Sequence, residues 1–203
     1  MRLRKMLSEF LYWEFTKKYL IDTVISLVTG IVLGLISAMA YSEALYDFIS
    51  FYCLIKEVNS IPLIQVLGSG DFFYKALFLF KTNVIYECII GIFLLGILNL
   101  AYIMLLLKYV SLGIFVTIIL VSGHYLVVTI MLFIAMIEAI GFSIAAVAGD
   151  NIGKTWMKSK RQCKTRRLKS TLKTSVSMLS IAILILISSS LIELGISYYL
   201  TTF

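Results

Sequence analysis

The sequence predicts an all-α fold, a polytopic membrane helix bundle of about five transmembrane helices, with the third and fourth spans short or partly re-entrant and with interfacial helices on the outer side. Three observations predict it. Of 203 residues, 61% are hydrophobic, 14% are charged and proline occurs once, more apolar side chain than a water-soluble chain of this length has interior to hide. The apolar residues fall in runs long enough to cross a hydrocarbon layer about 30 Å thick. Lys and Arg exceed Asp and Glu by 18 to 11, and the excess is gathered in two short stretches, the pattern of membrane topology rather than of nucleic-acid binding. A soluble enzyme or soluble binding domain is excluded on these grounds. Residues 1–203 read as a single integral-membrane domain.

The first apolar run, Leu20 to Ala40, lacks the brief core and small-residue cleavage pattern of a signal peptide, so it reads as a retained helix. Residues 42–81 form the one external segment of any size. Its apolar pieces ALYDFISFYCLI and FFYKALFLF, separated by breaks at Pro62, Gly68 and Gly70, predict short amphipathic helices on the outer interface. The second span is expected over Asn83 to Leu107, ending at Lys108. The apolar stretch from Tyr109 to Gly149 is about twice the length of one span and divides at Ser122-Gly123-His124. Its first half, Tyr109 to Val121, is short for an upright crossing; its second is Tyr125 to Ala148. The fifth span covers Ser175 to Ser197.

Charge checks this order. Arg2, Arg4, Lys5, Lys17 and Lys18 precede the first span, and the basic loop 154–173 between the fourth and fifth includes Arg161, Arg166 and Arg167. Both stretches lie in the cytoplasm if an even number of crossings separates them, as four spans supply. The expected location is the plasma membrane, with the amino terminus cytoplasmic and the carboxyl terminus external. A hairpin of the third and fourth spans that never crosses has the same parity.

Four acids fall in or near spans: Asp22, Glu87, Glu138 and Glu193. A carboxylate in hydrocarbon is costly unless it faces protein, water or a partner, or holds a proton. Asp22 and Glu193 lie within reach of span ends, and Glu87 is one turn into its span. Glu138 lies about 20 Å from the outer end of its span, and Asn99 about 24 Å into the oppositely directed second span, so the two meet if those helices pack together. That contact reads either as interhelical glue or as part of a polar path with Glu87 and Glu193. Gly30 and Gly34 in the first span, and Gly141 and Gly149 in the fourth, form small-residue stripes that let helices approach closely, within one protomer or across a homodimer.

The remaining chemistry is sparse. His124 is the lone histidine and sits at an expected turn; Cys53, Cys88 and Cys163 have neither disulfide-framework nor metal spacing. No catalytic residue, metal or cofactor is expected, and the chain reads as no enzyme. Ser188, Ser189 and Ser190 read as serines bonding their own helix. The basic stretch is expected to contact anionic lipid or a partner through Arg161, Arg166 and Arg167. Nucleic acid is not expected, because aromatics that could stack on bases are missing there apart from Trp156.

From about Phe72 to the carboxyl end, the order of features resembles the stage II sporulation protein M family of polytopic membrane proteins. The resemblance is carried by LFLFKTNVIYECIIGIFLLGI, with Asn83, Gly91 and Gly96; by Gly113 in KYVSLG; by IEAIGFSIAAVAG, with Glu138 and Gly149; and by LIELGIS, with Glu193. Lys108 and Tyr109 stand where that family commonly has an Asn-Gly turn, and Phe133-Ile134-Ala135 replaces its Pro-His-Gly approach to the glutamate. The family is associated in spore-forming bacteria with engulfment and with assembling cell-wall hydrolases at the septal membrane. The resemblance implies an integral-membrane scaffold or assembly protein without chemistry of its own, contacting lipid, a second copy or a cell-envelope protein. The residues themselves keep open a transporter or permease subunit with a polar path around Glu138.

Overall fold

The computed structural model describes residues 2–40, 72–121, 123–162 and 165–202, and side chains over 16–39, 73–121, 123–157 and 168–196. The described residues are helical throughout apart from short turns, and no strand occurs among them. Helix α1 (Arg2–Ala40) is followed by a continuous rod made of α2 (Phe72–Phe80), a π-helical segment (Lys81–Leu94) and α3 (Leu95–Ile97). Then come α4 (Ala101–Val121), α5 (Tyr125–Gln162) and α6 (Thr165–Thr202). Five stretches are long and apolar enough to cross a membrane: Thr16–Met39, Phe73–Ile97, Ala101–Val121, Tyr125–Met157 and Leu168–Ile196. The chain is a multi-pass membrane protein.

Two boundaries differ from the sequence reading, with one cause. The second helix starts at Phe72, so FFYKALFLF opens the second span instead of lying on the interface. Starting earlier, it also ends earlier, and the chain turns at Leu98–Leu100 rather than at Lys108. Asn99 occupies the turn with φ 60°, a left-handed conformation that Asn tolerates better than most side chains. Its amide nitrogen donates to the Gly96 carbonyl at 2.8 Å. The third span consequently gains about two turns at its start and is 21 residues long, enough for a full crossing, so it is not short. The turn at Gly123 and His124 falls where small and polar residues predict it, with Gly123 at φ 81°.

The described residues of the basic stretch 154–173 are helical. Residues 154–162 continue α5 and residues 165–173 open α6, because Lys, Arg, Gln and Met favour helix and no Gly or Pro follows Gly153 there. The side chains of Arg161, Arg166 and Arg167 lie outside the described residues, as do residues 42–71 and with them Cys53 and most of the expected external segment.

α5 is the central helix. In its most apolar stretch 56% of the residues are buried, against 22 to 28% for the other four, and it touches α1, α4, α6 and the second span. The core gathers Cys88, Leu105, Tyr109, Phe142, Ala145, Ala182 and Leu186. Where helices cross most closely, glycine is required by space. A Cβ on Gly30 would lie 2.2 Å from the Val110 carbonyl oxygen, and one on Gly149 2.3 Å from that of Phe93. Gly34 meets Thr117 and Ile114 of α4, and Gly141 meets Leu186 of α6. All four stripe glycines therefore pack inside the protomer. Thr117 closes the α1 to α4 seam by donating its hydroxyl to the Ile31 carbonyl at 3.2 Å.

A candidate polar site in the bundle core

The site begins with the backbone of the second span. Bonding i to i+5 winds more than four residues into each turn, an uncommon geometry that concentrates at functional positions. Over Lys81–Leu94 it brings Asn83, Val84, Cys88 and Ile92 to the buried face and sets Glu87 at the edge of that face. Facing it are Lys108 of α4, Glu138 of α5 and Ser190 of α6.

Lys108 is the keystone. It lies about 10 Å along α4 from Ala101, at roughly 1.5 Å per residue, and its ammonium forms an ion pair with Glu87 Oε2. The same Nζ stands 3.8 Å from Glu138 Oε2 and 4.0 Å from the centre of the Phe142 ring, whose negative face attracts a cation. The other oxygen of Glu138 accepts a hydrogen bond from Asn83 Nδ2 at 3.0 Å, and that amide also donates to Ser190 Oγ at 3.1 Å. Four segments of the bundle are thus joined through one buried carboxylate. Tyr109 and Ser189 carry buried hydroxyls in the same interior that find no partner among the described residues.

A cleft of about 220 Å³ opens beside this cluster. Asn83, Glu138 and Glu193 line it, together with apolar Phe78, Leu79, Leu112, Met131 and Ile134. Glu193 makes no hydrogen bond or ion pair among the described residues. Three carboxyls are therefore neighbours of one ammonium, and two of them pair with it. Full ionisation would leave two negative charges without a counter-charge in hydrocarbon, which costs several kcal/mol each in order of magnitude. Exchangeable protons or a cation relieve that cost.

The sequence reading placed Glu138, Glu87 and Glu193 in one polar set, and the structure brings them together. It does not bring Asn99: the earlier turn carries that residue out of the span, and Asn83 takes its place. Lys108 and Ser190 escaped the sequence reading. Lys108 looked like the natural end of an apolar run, although a lysine with a carboxylate at matching depth on the preceding span was a usable signal. Ser190 was masked by its neighbours, of which Ser188 does bond its own helix, to the Leu184 carbonyl at 2.9 Å. His124 lies at the turn before α5, where its carbonyl accepts the Val128 amide.

In comparisons with known proteins the chain matches no family model, no curated protein and no solved structure.

Proposed function

We propose that the chain is a transport or permease subunit of the plasma membrane, with its amino terminus in the cytoplasm and its carboxyl terminus outside, in which Glu138 passes a proton or a small cation. One observation carries this reading. Glu138 is reached from one side by a cleft that also contains Glu193, and from the other by Lys108, which holds Glu87 as a second acceptor. A carboxyl beside a second carboxylate, a shared ammonium and an adjoining cleft is what a relay inside a membrane would use. The small number of spans and the absence of evident repeated halves favour a multimeric or multicomponent assembly over a self-contained transporter.

The test uses full-length protein in vesicles enclosing a pH-sensitive dye, with an imposed proton gradient. Wild type is expected to dissipate the gradient, and Glu138→Gln, which keeps an oxygen for Asn83, to lower the rate by about tenfold or more, the range of a lost proton-transfer group. Wild-type vesicles that leak no faster than empty ones would sink the proton version.

The resemblance to the stage II sporulation protein M family supports a second reading, a membrane scaffold or assembly protein. The observation that favours it is satisfaction: Asn83, Glu87, Lys108, Glu138 and Ser190 each have a partner inside the bundle, as a structural lock would need. On that reading Glu138→Gln changes thermal stability and no flux exists to lose.

A further inference from the structure

A second polar cavity lies at the opposite depth and uses none of the residues above. It is a cleft of about 370 Å³ lined by Lys18, Tyr19, Asp22, Tyr102, Asp150 and Lys154, within the volume range of small-ligand sites. Its walls come from three helices at one end of the bundle. Lys18, Tyr19 and Asp22 open the first span, Tyr102 follows the Leu98–Leu100 turn, and Asp150 and Lys154 close the fourth span. This is the headgroup level of the lysine-rich membrane face.

The floor is already built. Asp150, buried, accepts at Oδ2 from the Tyr19 hydroxyl at 3.0 Å and from Lys154 Nζ at 2.6 Å. The rim is not. The side chains of Lys18, Asp22 and Tyr102 line the same cleft yet make no hydrogen bond or ion pair among the described residues. One cation, one anion and one phenol thus face a common space with their polar groups unspent on the described residues.

The charges decide the ligand class. A simple anion would meet Lys18 but also Asp22 and Asp150; a simple cation would meet Asp22 but also Lys18 and Lys154. A zwitterion satisfies both. Lys18 and Asp22 are one helical turn apart, about 5 to 6 Å between Cβ atoms, a separation that a two-carbon bridge between phosphate and ammonium covers. We infer that this cleft binds a phosphoethanolamine group, its phosphate on Lys18 and the Tyr102 hydroxyl and its primary ammonium on Asp22. The position at headgroup level makes the lipid phosphatidylethanolamine one source; soluble phosphoethanolamine is the other. A primary ammonium donates hydrogen bonds to Asp22, whereas the methylated ammonium of a choline lipid has no N–H to donate.

The experiment uses delipidated full-length protein in detergent, offered an equimolar mixture of phosphatidylethanolamine, phosphatidylglycerol and phosphatidylcholine, with retained lipid read by native mass spectrometry. The ethanolamine lipid is expected to be retained over the other two by about tenfold, the worth of one charge-assisted hydrogen bond. Asp22→Asn is expected to erase the preference over the choline lipid, and Lys18→Gln to weaken ethanolamine and glycerol lipids alike. Both variants alter exposed or half-exposed positions, and unchanged helical circular dichroism checks their folding. Adding soluble phosphoethanolamine assigns the source. Displacement of bound lipid at millimolar concentration supports headgroup chemistry with a soluble ligand; retention against it supports the lipid. Equal or greater retention of phosphatidylglycerol or phosphatidylcholine, or an Asp22→Asn protein indistinguishable from wild type, overturns the proposal.

Discussion

Glu138 and Asp150 stand on the same helix, α5, and both are buried, yet they are balanced in different ways. Asp150 relies on Lys154 one turn further along and on a tyrosine hydroxyl from α1. The Lys154 side chain is 51% exposed, so solvent or headgroups share its charge. Glu138 draws on Asn83 and Lys108, both from other spans, and the Lys108 side chain is only 22% exposed. The difference follows from depth. Near the end of a span a charge is balanced by nearby groups that solvent or headgroups share; well inside a span, other helices must supply the balance, so the pairing there becomes part of the fold.

That contrast is open to direct attack. The largest effect is expected from Lys108→Met, which strips the shared counter-charge from Glu87 and Glu138. A loss of about 3 to 5 kcal/mol is expected, as for breaking a buried ion pair, read by reversible denaturation in micelles. Adding Glu87→Gln should recover part of it, and a double variant no better than the single would show that the two groups are not coupled. Next comes Gly149→Ala, whose new Cβ would lie 2.3 Å from the backbone oxygen of Phe93. About 1 to 3 kcal/mol of overpacking is expected, while Gly195→Ala, which meets nothing within 4 Å, should leave the melting temperature in place. Asn83→Ala removes two interhelical hydrogen bonds and is expected to cost about 1 kcal/mol; its effect should largely vanish in a Glu138→Ala background if Glu138 is the partner that matters. The smallest change is expected at Asp150→Asn, below about 1 kcal/mol, since its ion pair is half in solvent. An Asp150 variant as damaging as Lys108→Met would overturn the account by depth.

Much of this molecule was legible in its sequence. Composition alone dictates helices in a membrane, because a backbone surrounded by lipid must satisfy its own hydrogen bonds. The division at Gly123 was readable because small and polar residues interrupt an apolar run there. The glycine stripes were readable because spacing alone puts Gly30 and Gly34 on one face. The error at Lys108 has a plain physical origin. A lysine in an apolar chain marks the membrane boundary only if it is unpaired, and pairing is a property of a neighbouring helix. A span that ends at Lys108 draws Asn99 into its interior and pushes Asn83 out to its edge.

The sequence by itself determined the solvent, the helical class, the approximate number of crossings and the set of carboxyls that needed an explanation, since all of these depend on transfer free energies summed along the chain. Only the tertiary structure decided which polar groups meet. Helix phase, the wide turns of the π-helical segment and the left-handed turn at Asn99 set which face of each rod points inward. Those rotations place Asn83 rather than Asn99 against Glu138, and put Lys108 between two glutamates. A pair across helices depends on the relative rotation and depth of two rods, and that is fixed by the packing of all of them together.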